Sequence, residues 1–297
     1  MNLLVTGAWH CTQEQLDSLQ QLGHAVFFLQ NEQDALPLPY ESVEGVICNG
    51  LFLHHPIERF ENLRYIQLTS AGFDRVPMDY VQAHGIKIRN ARGVYSIPMA
   101  EFAISGVLQI YKRARFFARN QGQCRWEKHR ELRELYGKNV CIVGCGSVGT
   151  ECAKRFGAFG CRVTGVDLYP REDLNYGSMM PLESLDSILP DADVVVLTLP
   201  LTEQSRHLMN KTRLKNMKEG AVLVNIARGA VVDTAELLAW LQGKRGAAVL
   251  DVFEEEPLDS TNPLWQMENA IITPHNSFVG DGNANRLFDV IKRNLRD

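Results

Sequence analysis

The feature that most constrains the fold of this chain is a glycine-rich turn between an apolar strand pattern and a helix pattern. Asn139–Val143 is typical of a buried strand, and it leads into Gly144-Cys145-Gly146-Ser147-Val148-Gly149, which has the spacing G-x-G-x-x-G. A helical pattern follows at once, from Val148 to about Phe159. A strand that turns into a helix through such glycines is typical of an open parallel α/β sheet.

Each glycine in this turn has its own physical use. Gly144 permits a tight turn, Gly146 lets the backbone approach a pyrophosphate, and Gly149 lets the helix pack close to the strand. The next strand pattern, Arg162–Val166, ends at Asp167. That acid lies near the distance of about 20 residues at which a carboxylate accepts the hydroxyls of a ribose. Strand, turn, helix and acid together predict a dinucleotide site.

Asp167 also bears on the choice of dinucleotide. Its carboxylate would repel the 2′-phosphate of NADP, which favours NAD. Arg171 follows shortly afterwards and could instead accommodate that phosphate. The sequence therefore favours NAD and leaves NADPH open.

Length and the alternation of strand and helix patterns predict two α/β domains. The chain has 297 residues, and about 150 residues per domain is a common size. The predicted strands are Leu3–Thr6, Ala25–Leu29, Gly45–Cys48, Arg64–Leu68, Ile86–Arg89, Asn139–Val143, Arg162–Val166, Val194–Leu197, Ala221–Asn225, Ala247–Leu250 and Ala270–Thr273. Further helices are predicted from an N-cap at Thr12 to about Leu22, from Met99 to about Arg115, and over Asn283–Arg296.

The change between the two units is expected near Asn90. Ser96 is placed to cap a helix whose first turn contains Pro98, where proline is tolerated because its missing N–H has no helical partner. The long apolar helical stretch Met99–Arg115 follows directly. The second unit is therefore predicted to begin with this helix.

Charge and cysteine content argue against several classes of protein. Lys and Arg number 31 against 35 Asp and Glu, a formal net charge of −4, which is unfavourable for binding a nucleic-acid backbone. No apolar run approaches the roughly 20 residues that span a bilayer, and the first residues lack the pattern of a secretory signal. The seven cysteines contain no C-x-x-C pair. They indicate reduced thiols in a cytoplasmic protein without a metal site.

Polar residues follow three of the predicted strands. Arg228, Asp251 and His275 each come shortly after a strand, and ligands of open parallel sheets bind beyond the carboxyl ends of the strands. Arginine can hold a carboxylate through two N–H groups, and histidine can exchange a proton near neutral pH. One carboxylate of Glu254–Glu256 beside the imidazole would fix its tautomer, but spacing leaves open which one. This set predicts a hydride-transfer site.

The sequence resembles the D-isomer-specific 2-hydroxyacid dehydrogenase family over nearly the whole chain, most sharply between Cys141 and His275. The motifs that carry the resemblance are Gly144–Gly149 with Asp167, Asn225–Asp233, and Asp251–Pro257 leading to Thr273-Pro274-His275. Leu199–Thr202 and Asn262–Trp265 also match the family.

The resemblance implies a role for each polar residue at the strand ends. Arg228 would bind the carboxylate of a 2-oxo acid and polarise its carbonyl. His275 would be the general acid in reduction and the general base in oxidation, with Glu256 as its partner. Asp251 would contact the carboxamide of the nicotinamide.

Two further groups of residues are carried over from the resemblance. The backbone N–H groups of Ala71 and Gly72, within Thr69–Asp74, would hold the carboxylate of the substrate. The residues assigned to NAD are Gly144, Cys145, Gly146, Ser147, Val148, Gly149, Asp167, Leu199, Pro200, Thr202, Ala227 and Asp251.

The family fold implies two doubly wound parallel-sheet domains. A Rossmann-type NAD-binding domain, residues 92–277, would be inserted into a flavodoxin-like substrate domain made of residues 1–91 and 278–297. Related proteins pair through their cofactor domains, which implies a homodimer.

The function implied is an NAD-dependent dehydrogenase that interconverts a small 2-oxo acid and a D-2-hydroxy acid. Two alternatives stay open, an NADPH-preferring glyoxylate or hydroxypyruvate reductase and a non-enzymatic NAD(H)-sensing protein of the corepressor type. Trp9, Leu51 and Phe52 would favour an apolar or aromatic acid if their side chains lined the pocket.

Overall fold

A computed structural model describes residues 1–296. The chain folds into two compact units. The N-terminal unit comprises Met1–Tyr95 together with the segment from Gly280 onward, and the central unit is Ser96–Val279. The N-terminal unit is therefore discontinuous in sequence, because the chain leaves it after Tyr95 and returns to it at Gly280.

The secondary structure alternates between strands and helices along both units. The strands are β1 (Asn2–Thr6), β2 (Ala25–Leu29), β3 (Gly45–Cys48), β4 (Tyr65–Leu68), β5 (Lys87–Arg89), β6 (Asn139–Val143), β7 (Arg162–Asp167), β8 (Ser178–Pro181), β9 (Val194–Leu197), β10 (Ala221–Asn225), β11 (Gly246–Leu250) and β12 (Ala270–Ile272). The α-helices are α1 (Gln13–Gln21), α2 (Met78–Ala83), α3 (Ser96–Tyr111), α4 (Ala114–Gly122), α5 (Ser147–Ala158), α6 (Leu185–Ile188), α7 (Lys211–Asn216), α8 (Thr234–Gln242) and α9 (Asn283–Arg296).

The N-terminal unit contains a five-stranded sheet in the order β2-β1-β3-β4-β5. Every pairing in it is parallel, so both faces need cover and the central strands are buried throughout. Helix α9 packs on this sheet, with Leu287 and Ile291 in one core cluster with Leu3 and Val5. The strand order is that of flavodoxin-like folds, as predicted.

The central unit contains a seven-stranded sheet in the order β12-β11-β10-β9-β6-β7-β8. Its pairings are also parallel. Successive strands leave β6 in one direction to β7 and β8, and then in the other direction to β9 and beyond. The reversal lies between β6 and β9, which is the point at which doubly wound sheets bind ligands. The predicted fold class is confirmed.

Two helix predictions meet different outcomes. Thr12 caps α1 as predicted, since its hydroxyl accepts from Gln15 N at 3.3 Å while the Gln15 amide oxygen accepts from Thr12 N at 3.0 Å. The long helix predicted from Met99 to about Arg115 is confirmed as far as Tyr111, where α3 ends. Arg113 adopts a left-handed φ of 53°, which ends α3 and lets α4 start in a new direction.

Strand β8 was not predicted, and the reason lies in its position. It pairs only with β7, at the edge of the sheet, and its residues are partly exposed rather than buried. An edge strand lacks the apolar run that marks a strand covered on both faces. Among residues 1–296, no helix is both long and apolar enough to cross a bilayer.

Candidate active site

The glycine-rich turn joins β6 to α5 at the reversal point of the central sheet. Gly144 has a φ of 94°, and a Cβ at this residue would lie 2.7 Å from Leu199 N. A Cβ at Gly149 would lie 2.2 Å from the carbonyl oxygen of Gly144. Thr198 Oγ1 donates to that same oxygen at 2.5 Å. The turn therefore excludes side chains at both glycines and brings the N-terminus of α5 against the end of β6.

This packing gives a paired prediction for two glycines of α5. Gly149→Ala is expected to lower the free energy of unfolding by about 1–3 kcal/mol, because its Cβ meets backbone that cannot move freely. Gly157→Ala is the matched control, since a Cβ there meets no atom within 4 Å. We expect it to stabilise the helix by about 0.5–1 kcal/mol. Urea unfolding measures both, and effects of the same sign would contradict the prediction.

Asp167, at the end of β7, is hydrogen-bonded to the backbone of the glycine-rich turn. Its Oδ2 accepts from Cys145 N at 2.6 Å and its Oδ1 from Tyr169 N at 3.0 Å. Arg171 Nη2 donates to the carbonyl oxygen of Cys145 at 2.9 Å. The acid at the end of β7 is thus bonded to the turn after β6. Glycines without room for a Cβ, a helix N-terminus and a carboxylate at the next strand end fit a dinucleotide.

Two other residues assigned to NAD lie in different settings. Cys145 is fully buried, and burial raises the pKa of its thiol to about 11. Only its backbone faces the turn, so its thiol is an inert core group. Thr202 lies after β9, where Ser205 Oγ accepts from Thr202 N and donates to the carbonyl oxygen of Pro200, both at 2.7 Å.

Arg228 lies beyond β10 on the same edge of the sheet. Buried Asn225 braces its turn, with Nδ2 donating to Arg228 O at 3.0 Å and Oδ1 accepting from Ala227 N at 3.1 Å. The guanidinium is exposed and donates to Ala227 O at 2.8 Å. Within residues 1–296 it has no carboxylate partner in an ion pair, so its charge is available to an anion. The hydrogen bonds by which Asn225 holds this turn were not predicted. A polar residue at the end of a buried apolar strand could have indicated them.

His275 lies beyond β12 and contacts Glu256, which lies beyond β11. The His275 Nδ1 to Glu256 Oε2 distance is 2.8 Å. Glu256 is itself oriented, because its Oε1 accepts from Phe253 N at 3.0 Å. With Nδ1 engaged by a carboxylate, Nε2 is the ring nitrogen available to a substrate. This arrangement can give or accept a proton at one defined atom.

Asp251 holds the segment that carries His275. It is fully buried, and its Oδ1 accepts from Thr273 Oγ1 at 2.6 Å and Asn276 N at 2.8 Å. Its Oδ2 accepts from Ser277 N at 2.9 Å, and its carbonyl oxygen accepts from His275 N at 2.8 Å. His275 has a left-handed φ of 51°. Asp251 therefore fixes the backbone around His275. The sequence predicted only a contact between Asp251 and the nicotinamide, not this structural role.

The glutamate run after β11 contains a second histidine pair. Glu254 Oε1 lies 2.5 Å from His207 Nε2, and Glu254 Oε2 accepts from Thr234 N at 3.1 Å. Burial raises the pKa of Glu254, but the hydrogen bonds from Thr234 and His207 outweigh it, so the pKa lies below its ordinary value. Glu255 is exposed. Geometry thus separates three glutamates that spacing could not, with Glu256 alone contacting His275.

The N-terminal unit holds Ala71 and Gly72, in the loop that follows β4. It also contains Trp9, Leu51 and Phe52, the residues of the apolar-pocket hypothesis. Trp9 and Leu51 are buried in its core, with Trp9 stacked on Phe288 at 5.8 Å. Phe52 packs edge-on against Phe60. These side chains pack inward because burying their apolar surface against the sheet stabilises the fold.

Comparison with known proteins places this geometry in a family. Residues 104–277 match the family model described as D-isomer specific 2-hydroxyacid dehydrogenase, NAD binding domain. The chain belongs to this family. It is therefore an NAD-dependent oxidoreductase of 2-hydroxy acids, as the resemblance implied.

The relatives of this 2-hydroxyacid dehydrogenase support the same conclusion. A glyoxylate reductase of Thermofilum pendens is 33% identical over 241 residues, covering 79% of this chain and 71% of that one. A D-isomer specific 2-hydroxyacid dehydrogenase of Xanthobacter autotrophicus, solved with NADPH and MES, has a TM-score of 0.81 at 29% identity, covering 99% and 94%. A D-lactate dehydrogenase of Aquifex aeolicus, solved with NAD and lactic acid, has a TM-score of 0.76 at 26% identity, covering 99% and 94%.

Proposed function

We propose that this dehydrogenase interconverts a small 2-oxo acid and the corresponding D-2-hydroxy acid with NAD(H). The observation that carries the proposal is the His275–Glu256 pair, 2.8 Å apart, on the sheet edge that also bears the dinucleotide turn. When bound, the dinucleotide supplies the hydride in reduction and accepts it in oxidation.

The residues of the chain handle the proton and the charge. His275 Nε2 donates a proton to the carbonyl oxygen of the substrate as the carbonyl carbon is reduced, and takes it back in oxidation. Glu256 contacts Nδ1 and so fixes the orientation of the imidazole ring. Arg228 binds the carboxylate of the substrate through two N–H groups and polarises its carbonyl.

We assign the two units to the two ligands. The central unit binds NAD through Gly144–Gly149 and Asp167, supported by the packing of the turn and the bonds between Asp167 and its backbone. The N-terminal unit binds substrate, with Ala71 and Gly72 offering backbone N–H groups to its carboxylate. Within the central unit, the exposed guanidinium of Arg228, which donates to Ala227 O, is the side chain that we assign to the substrate carboxylate.

The inward packing of Trp9, Leu51 and Phe52 favours a small acid. An apolar side chain on the substrate would need apolar partners, and these three candidates are already used by the core. The Thermofilum pendens relative is named for glyoxylate. We therefore propose that the substrate is a small 2-oxo acid of the size of glyoxylate or hydroxypyruvate.

A substrate panel tests this proposal. Initial rates are measured with glyoxylate, hydroxypyruvate, pyruvate and phenylpyruvate, each with NADH and with NADPH. We expect the highest kcat/KM for one of the first two acids with NADH, because Asp167 repels a 2′-phosphate. Turnover of none of these acids would contradict the function. A strong preference for NADPH would contradict the role of Asp167 and point to Arg171, which already contacts the turn.

We also propose a cytoplasmic homodimer. All seven cysteines are free thiols, four of them buried, which is the usage of a reducing compartment. Trp126 is 98% exposed on the central unit, and Phe159 is 44% exposed. Contact with a second chain would remove the apolar surface of these two side chains from water. Sedimentation equilibrium should give twice the chain mass, and a monomer would contradict the dimer.

A further inference from the structure

In the loop after β4, the backbone carbonyl groups accept hydrogen bonds, whereas two of the backbone N–H groups do not donate any within the part of the chain that the structure describes. Four successive carbonyl groups, those of residues 69–72, all accept hydrogen bonds from this unit. The donors are Tyr95 Oη to Thr69 O, Ala91 N to Ser70 O at 2.9 Å, Asn90 Nδ2 to Ala71 O at 2.6 Å and Ser70 Oγ to Gly72 O at 3.0 Å. The N–H groups of Ala71 and Gly72 have no recorded acceptor within residues 1–296.

This asymmetry is the arrangement of an anion-binding loop. A carbonyl oxygen that is held by a donor is turned toward that donor, and the N–H of the same peptide plane then points the opposite way. Successive N–H groups that point together form a concave site for an anion. The donors behind the loop therefore decide which way its N–H groups face.

Most of those donors come from one short segment, residues 90–95, which joins β5 to α3. Ala91 and Val94 anchor this segment in the core, since both are buried and belong to the cluster that includes α9. Arg286 Nε of α9 donates to Val94 O at 2.8 Å. Residues 90–95 are thus held by the core and by α9, so they can hold the loop after β4 rigidly.

We propose that Asn90 and Tyr95 are positioning residues for recognition of the substrate carboxylate. Neither needs to touch the substrate. Asn90 holds the carbonyl of Ala71, so the Gly72 N–H of the same peptide plane is turned outward. Ala91 N does the same for the Ala71 N–H through the carbonyl of Ser70. Tyr95 holds the carbonyl of Thr69 and so fixes the start of the loop from which these two peptide planes follow. Burial raises the pKa of Tyr95, so its hydroxyl stays protonated and remains a donor across the working pH range. The inference rests on the proposed function only for the identity of the anion as a 2-oxo acid.

The test uses Asn90→Ala and Tyr95→Phe in the full chain, saturated with NADH, with oxamate as a non-reducible carboxylate probe. Loss of one neutral hydrogen bond corresponds to roughly a three- to tenfold effect. We expect each variant to raise the Ki of oxamate and the KM of the best 2-oxo acid by that factor. The value of kcat and the Kd of NADH should stay within about twofold. A merely structural defect would lower kcat and weaken NADH binding as well.

Matched controls are available in the same unit. Asn62 Nδ2 donates to Glu41 O at 2.6 Å, the same distance and chemistry as Asn90, but away from the loop. Tyr80 is a partly buried tyrosine that stacks on His84 at 3.8 Å. Asn62→Ala and Tyr80→Phe should leave the Ki of oxamate unchanged. An equal rise in these controls, or a fall in kcat with KM unchanged in the test variants, would overturn the inference.

A second measurement separates this inference from the proposed function. In protein labelled with ¹⁵N-glycine, the Gly72 amide signal, identified by its loss in Gly72→Ala, is followed while oxamate is added. The wild-type signal should shift, and the Asn90→Ala signal should need a severalfold higher oxamate concentration. Absence of turnover on any acid would contradict the proposed function alone. A Gly72 signal that does not respond to oxamate in the wild type would overturn the inference and the assignment of this loop to the carboxylate, whereas turnover of a 2-oxo acid would still support the proposed reaction.

Discussion

The His275→Asn variant is expected to lose about 10²–10⁴-fold in kcat for 2-oxo acid reduction, while its Kd for NADH stays within about twofold. Removing the imidazole leaves no side chain at this point that can deliver a proton to the carbonyl oxygen. Asparagine is chosen because His275 has a φ of 51°, and asparagine tolerates that region better than most residues. The backbone held by Asp251 should therefore survive the change.

The second histidine pair supplies the control. His207 also has a positive φ, 48°, and a glutamate partner, Glu254. His207→Asn repeats the same chemical change at a pair to which we assign no part in proton transfer, and its kcat should be close to that of the wild type. Stopped-flow loss of NADH absorbance at a saturating 2-oxo acid concentration measures both variants. Near-normal kcat in His275→Asn would remove the proton-transfer role.

Arg228→Lys is expected to lower kcat/KM for 2-oxo acids by roughly 10–100-fold, the loss of one charge-assisted hydrogen bond of about 1.5–3 kcal/mol. Lysine keeps the positive charge but cannot make two parallel N–H contacts to a carboxylate. Arg228→Gln, which also removes the charge, should lose more. NADH binding should not change in either variant, because the dinucleotide turn lies on other strands of the sheet.

A lysine substitution at the opposite edge of the same sheet serves as the control. Arg162 opens β7 and donates to Asn139 Oδ1 at 3.0 Å and to Gly137 O at 2.8 Å. Arg162→Lys loses a forked contact of comparable geometry at the amino ends of the strands. Steady-state kinetics on the panel of 2-oxo acids should show normal kcat/KM for this variant. An unchanged kcat/KM in Arg228→Lys would contradict the assigned carboxylate contact.

Most strands could be predicted closely from sequence, whereas β8 and the break between α3 and α4 could not. The bounds of β6, β9 and β10 agree with those predicted, because a parallel strand covered on both faces needs an unbroken apolar run. Strand β8 at the edge has no such run, and the break between α3 and α4 follows from one left-handed residue, Arg113. Neither feature leaves a periodic trace in the sequence.

The candidate site divides in the same way. The spacing of the glycines and Asp167 already indicated a dinucleotide, and the order of Arg228 and His275 after separate strands indicated a shared edge. Spacing could not assign a partner to His275, because Glu254–Glu256 are adjacent and chemically identical. Nor could it show that Asp251 fixes the His275 backbone through four hydrogen bonds.

The sequence by itself determined the fold class, the dinucleotide turn and the set of reactive side chains, because each depends on residue type at short spacing along one segment. Only the tertiary structure decided which groups meet. It paired Glu256 with His275 and Glu254 with His207, buried Trp9 and Leu51, and turned the carbonyl groups of the β4 loop toward residues 90–95. These contacts join segments that are distant in the chain, and hydrogen-bond geometry there depends on how parallel strands align their carboxyl ends.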